Sequence, residues 1–246
     1  SLNNYRNSLA NALMWCKEVL AFILVPAGHA GANKELLHNL ELPYQAVTST
    51  DLYLTHYLND SANDPVMNRI RAQKLRNSEE DKVKIFFVPS YLNGDDGVLN
   101  MPYYDLLVGM DLTAFPSYYE PWGYTPLESL AFKVPTITTT LAGFGLWVKE
   151  HYNMNHPGIE VIHREDGDAS NVATAIAEWV KNYTQVGETE MQKDRDNAKD
   201  VSRIALWDNL INYYKQAYTI ALNQVSVRLK DLPANMNESV IPAGSV

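Results

Sequence analysis

The sequence predicts an α/β fold built on a parallel sheet. Short apolar, β-branched runs of the kind that form strands buried on both faces recur along the chain. Amphipathic stretches of helical length separate them, and the two alternate. Right-handed crossovers turn such an order into neighbouring parallel strands.

Leu20 to Val25 is the first strand. Pro26-Ala-Gly-His-Ala-Gly-Ala-Asn-Lys34 follows it but lacks the Gly-x4-Gly-Lys-Ser/Thr order of an NTPase phosphate loop. Asp64 with Pro65 opens a helix running to about Asn77. Val83 to Val88 is the next strand. Asn93-Gly-Asp-Asp-Gly97 reads as a turn, because a calcium loop needs a longer ligand series ending in glutamate. Pro102 to Val108 is a short helix, and Leu112 to Phe115 a strand stopped by Pro116, which cannot donate to a ladder. Pro135 to Thr138 and Ile159 to Ile162 complete the strands. Between them Gly143-Phe144-Gly145 either lets the backbone approach a ligand or starts a helix. Asp168 starts a helix with Val172, Ala173, Ile176, Ala177 and Val180 on one face. From Gln192 to Asp200 acids and bases alternate, which predicts a solvated helix face. The last long helix carries Ile204, Trp207, Ile211, Tyr214 and Tyr218 as a core-facing stripe. These readings give one domain over residues 1–229 and a loose tail over 230–246, where Pro, Asn, Gly and Ser dominate.

Composition excludes several classes. The net charge of −9 argues against nucleic acid or an anionic membrane surface as partner. The longest apolar run, Val19 to Pro26, is far short of the ~20 residues that span a bilayer. A single cysteine, Cys16, excludes an internal disulfide and fits a reducing compartment, so a cytoplasmic location is expected. His151, His156 and His163 lack zinc-site spacing.

The chemistry concentrates in Tyr118-Tyr119-Glu120-Pro121-Trp122-Gly123-Tyr124-Thr125-Pro126-Leu127-Glu128. Two carboxylates stand eight residues apart across a strand-to-helix turn. Thr125-Pro126-Leu127-Glu128 matches a capping box, which predicts a helix starting at Pro126. The free amides and positive dipole end of such a helix hold phosphate readily. Glu120 lies on the loop at the carboxyl end of the strand, the edge where open α/β sheets bind ligands.

The run from Phe115 to Glu128, followed by Pro135-Thr-Ile-Thr-Thr-Thr-Leu-Ala-Gly-Phe-Gly145, resembles the donor-binding segment of glycogen synthases of the animal and fungal type. A looser resemblance extends from about Lys17 to Tyr218. The family consists of retaining glucosyltransferases of the GT-B architecture. The resemblance therefore implies a Rossmann-like parallel sheet with helices on both faces, the C-terminal half of that architecture. It also implies transfer of glucose from a nucleotide-glucose, UDP-glucose favoured, to an α-1,4-glucan. Glu120 would then be catalytic, holding the developing oxocarbenium-like centre. Trp122, Gly123, Tyr124 and Thr125 would bracket glucose and phosphate, and Glu128 would accept from ribose hydroxyls. Tyr103 matches a tyrosine that stacks on the donor base. Amides of the turn would serve as donors to the departing diphosphate, so no metal or other cofactor is expected. Each residue keeps a plainer alternative: Glu120 as a solvated loop carboxylate, Glu128 as the capping glutamate, Trp122 as a plug for the turn and Tyr103 as packing.

The resemblance also defines what is missing. The family's first strand and loop of this domain carry an arginine and a lysine that contact the diphosphate, whereas Ser1 to Cys16 already reads as the helix after that strand. Arg6 is no substitute. The expectation is a fragment inactive alone, needing an N-terminal GT-B domain in cis; a homo-oligomer is compatible with it. The arginine-dense helix that senses glucose 6-phosphate in eukaryotic members is absent as well, which points to a bacterial version without that activation. The competing reading is a non-catalytic glucan- or nucleotide-binding relative of the same architecture.

Overall fold

The computed structural model describes residues 18–41, 53–78, 81–153 and 158–230. Arg6, Cys16, the helix expected before Cys16, His156 and the tail beyond Lys230 lie outside them. The chain divides into two compact units, Ser1–Val201 and Ser202–Val246.

The first unit is α/β with parallel strands, as the alternation predicts. β1 (Val19–Leu24) pairs in parallel with β4 (Val83–Val88) over six residues. Phe87 of β4 also donates to Tyr53 O and accepts from Thr55 N, so Leu54 forms a parallel bridge on its other edge. β5 (Thr113–Ala114), β6 (Thr136–Thr139) and β7 (Ile159–Ile162) form a second parallel group in that order. The parallel strands thus fall into two hydrogen-bonded groups. Periodicity does not reveal an antiparallel pair in which β2 (His29–Ala32), in the glycine-rich stretch after β1, meets β3 (His56–Leu58). Asn33 then starts α1 (Lys34–Glu41), its side-chain oxygen accepting from the amides of Glu35 and Leu36.

Helices run between the strands as expected, with shifted ends. α2 (Pro65–Ala72) is capped by Asp64, which accepts from Met67 N at 2.8 Å. It stops short of Asn77 because Lys74 and Asn77 both take φ 54°, outside helical space. α3 (Tyr103–Val108) leads to β5. α4 (Tyr124–Ala131) follows β5, α5 (Gly143–His151) follows β6 and α6 (Ala169–Thr184) follows β7. All four residues of β6 are buried. Their threonines are satisfied partly by a hydroxyl cluster: Thr136 Oγ1 donates to Val134 O at 2.8 Å and lies 2.9 Å from Ser129 Oγ, with Thr113 Oγ1 2.7 Å from Ser129 Oγ. That cluster ties α4 to β5 and β6. On another face Val172 of α6 packs with Ile137 and Ile162.

Two expectations about the chain's last third are corrected. α7 (Glu188–Arg203) presents Gln192, Lys193, Asp196, Lys199 and Asp200 to solvent as expected, but the solvated face does not extend over the whole run. Asp194 is buried, and Arg195 donates to Met110 O at 3.0 Å and to Asp111 Oδ1 at 2.9 Å. Lys133 pairs with Asp196 at 2.8 Å. The helix is held by charges that match partners far away in sequence, which local alternation of sign cannot reveal. In the second unit, α8 (Trp207–Lys230) leaves much of the supposed core stripe open: Trp207, Tyr214 and Tyr218 are 58%, 49% and 62% exposed.

Candidate functional site

The loop from Pro116 to Gly123 leaves the carboxyl end of β5 and is bonded to the loop that leaves β6. Glu120 N donates to Leu141 O at 3.0 Å, and Gly143 N donates to Glu120 O at 3.0 Å. Glu120 thereby forms a parallel bridge with Ala142, one residue pair of sheet built beyond the ends of both strands. Phe144 N donates to Trp122 O at 2.6 Å, so the first amides of α5 are capped by the loop's own carbonyls. Both halves of the motif singled out in the sequence are brought together here. Gly143 and Gly145 make this possible: a Cβ on the first would collide with the Pro121 carbonyl, and one on the second with that of Thr139. Their role is close approach of backbone to backbone, at the start of a helix.

The Glu120 side chain is exposed. It stands beside the start of α4, since a Cβ placed on Gly123 would lie 3.5 Å from Glu120 Cγ and 3.3 Å from Pro126. Gly123 is the N-cap residue at φ 104°, which glycine adopts without strain. The capping box is not formed. The helix begins at Tyr124, so Thr125 is already within its first turn and makes no cap, and Pro126 is the third helical residue. Proline is harmless there because its missing N–H would have no partner inside the helix. With a glycine as cap, no side chain of the cap residue covers the amides of Tyr124 and Thr125. The anion-ready helix end survives the correction, two residues earlier than expected.

Glu128, released from capping, faces α3. Its negative charge, then burial, then its hydrogen bond hold the Tyr104 phenol above its ordinary pKa. Burial, followed by the Glu128 charge, does the same for Tyr103. Both tyrosines of α3 thus lie within reach of the Glu128 charge. Tyr104 stacks on Phe132 with centroids 5.2 Å apart, while half-buried Tyr103 lies against Tyr104 at 5.3 Å. Trp122 is half-buried against Phe144 and Trp147, at 5.7 and 6.2 Å. Its ring anchors the loop to α5. Tyr124 is 69% exposed and Thr125 is exposed at the helix start.

Sequence reasoning missed the contacts around Tyr118. Arg164, two residues past β7, places its guanidinium carbon 5.1 Å from the centre of the Tyr118 ring. The Tyr118 hydroxyl donates to Asp166 at 2.7 Å. The available signal was position: a charged residue just past the carboxyl end of a buried strand. The arrangement as a whole offers a carboxylate beside free helix amides, with a second carboxylate on the same helix, α4, and an aromatic on α3. Such a set can hold a sugar joined through phosphate to a nucleoside.

Comparison with known proteins identifies a family. A family model described as glycogen synthase matches residues 34–240. Isoform 1 of glycogen [starch] synthase from Saccharomyces cerevisiae is 31% identical over 174 residues, covering 70% of this chain and 25% of its own. The Neurospora crassa glycogen [starch] synthase is 33% identical over 172 residues, 70% of this chain and 24% of its own. The liver glycogen [starch] synthase of Mus musculus is 31% identical over 171 residues, 69% and 24%. The chain spans about a quarter of the length of the curated relatives it matches. Among solved structures, WaaG, a glycosyltransferase involved in lipopolysaccharide biosynthesis, matches over 81% of this chain and 50% of its own, at 17% identity and a TM-score of 0.32.

Proposed function

Because the chain belongs to the glycogen synthase family, we propose that it forms the donor-binding part of a glucosyltransferase acting on an α-1,4-glucan with retained configuration. The observation that carries the reading is the placement of Glu120 against the Gly123 cap of α4. A nucleotide-glucose laid across this edge would present its diphosphate to the amides at the start of α4. Its glucose would lie at Glu120 and its nucleoside between Tyr103 and Glu128. As the glycosidic bond to phosphate breaks, negative charge grows on the departing oxygen and positive charge on the sugar ring. Preorganised amides stabilise the first and the Glu120 carboxylate the second. No metal is part of this reading.

Tyr103 would contribute stacking worth roughly 1–3 kcal/mol, which is tolerant of base identity. UDP-glucose is the favoured donor, with the remaining diphosphate contacts supplied by a preceding domain in cis.

Calorimetric titration of the complete gene product with UDP, ADP, UDP-glucose and ADP-glucose tests the reading. Saturable binding of one nucleotide-glucose, unchanged by a chelator, with transfer of labelled glucose to glycogen, is expected. Binding without transfer supports the non-catalytic alternative, and equal or absent binding of all four overturns the site.

A further inference from the structure

We propose that Arg164 is a positioning residue that sets the conformation of the loop carrying Glu120; this rests on the functional reading above for its consequence in catalysis, though not for its mechanics. The loop leaves β5 at Pro116, which has no N–H, and Ser117 N turns back to Phe115 O at 2.7 Å. From there to Glu120 the chain has left the strand ladder. The carbonyls of Pro116 and Ser117 must find donors elsewhere or in water.

Both find them in side chains from neighbouring strand ends. Thr139 Oγ1 donates to Ser117 O at 2.7 Å, and Arg164 Nη1 donates to Pro116 O at 2.6 Å. The same guanidinium covers the Tyr118 ring, whose hydroxyl is fixed by Asp166, two residues beyond Arg164. Arg164 is itself anchored, its amide donating to Thr140 Oγ1 at 3.0 Å. One short segment after β7 therefore reaches over the end of β6. It grips the β5 loop by a carbonyl, a ring face and a hydroxyl, two to four residues before Glu120. Arginine suits this task and lysine does not: a planar fork donates to a carbonyl in its own plane while its face lies on an aromatic ring. The half-buried guanidinium also keeps its Nε without a hydrogen-bond partner among the described residues. Its placement answers to the loop and the ring more than to complete satisfaction of its own donors. Arg164 touches neither Glu120 nor the amides of α4, so it acts through the loop.

Hydrogen exchange by mass spectrometry on the complete gene product tests this directly. R164K should speed exchange about tenfold in peptides covering residues 117–122, as loss of one charge-assisted hydrogen bond would. Peptides from β4 and β6 should keep their rates. Y118F, which removes only the bond to Asp166, should speed the same loop peptides by about threefold. Unchanged loop exchange in R164K overturns the proposal, as does a uniform rise across β4 and β6, which would make Arg164 a general support of the fold. Where the wild type transfers glucose, R164K should lower kcat about tenfold and leave the donor KM within about twofold, the pattern of a lost transition-state contact. Equal effects on both parameters would overturn the link to Glu120. A wild type without transfer overturns the functional reading instead, and the exchange rates still decide the role of Arg164.

Discussion

The Glu120 carbonyl accepts from the Gly143 amide at 3.0 Å, and this bond joins the two sequence motifs of the site into one backbone unit. It fixes the loop to the start of α5 and so holds Glu120 at the Gly123 end of α4. Gly143 tolerates no side chain there, because the Pro121 carbonyl occupies the space.

Gly143→Ala should therefore open the bridge. The expected cost is about 1–3 kcal/mol of stability, as for other overpacked sites, with nucleotide-glucose binding weakened at least tenfold. Urea unfolding alongside calorimetry checks both. A variant with unchanged stability and affinity would mean that the loop shifts freely.

Tyr183 provides a prediction far from the site. Its hydroxyl is buried without a hydrogen-bond partner among the described residues. Burial, opposed by Arg195 and reinforced by Asp194 and Asp111, pushes its phenol from 10.0 up to about 12. The folded state thus holds this proton more tightly than the unfolded chain does. The associated stability is present in full below pH 10 and is lost as pH rises through 12. Tyr183→Phe removes the unsatisfied hydroxyl and should stabilise by about 1 kcal/mol at pH 8. It should also lose less stability than the wild type between pH 8 and pH 11. Urea midpoints at the two pH values measure this.

Arg195 serves as a control at the opposite edge. Its bonds to Met110 O and Asp111 lie before the amino end of β5, away from Glu120. Arg195→Ala should cost about 2 kcal/mol, through the loss of charge-assisted bonds, and leave nucleotide affinity unchanged. A parallel loss of affinity would show that the two edges are coupled.

Periodicity placed every parallel strand to within a residue or two, because short apolar, β-branched runs leave a continuous signal whether or not both faces are buried. It missed the β2–β3 pair, where His29-Ala-Gly-Ala32 has no such signal. The motif marks the candidate site, while its capping pattern does not form: Thr125 matches a cap, but Gly123 at φ 104° starts the helix two residues earlier. Glu128 is consequently free to face Tyr103 and Tyr104, a contact between helices that no local pattern encodes. Asp194 and Arg195 show the same limit on a helix whose composition reads as solvated. Arg164 was invisible for a further reason: its partners, Pro116 and Tyr118, lie 48 and 46 residues back along the chain.

Glu120→Gln in the complete gene product tests the central claim most directly. Glu120 is an exposed loop residue, so its unfolding free energy should stay within about 0.5 kcal/mol of the wild type. Transfer of labelled glucose from the bound donor to glycogen should fall by at least about a hundredfold, the scale of losing an electrostatic contact to the transition state. Undiminished transfer by a folded Glu120→Gln protein would contradict the account.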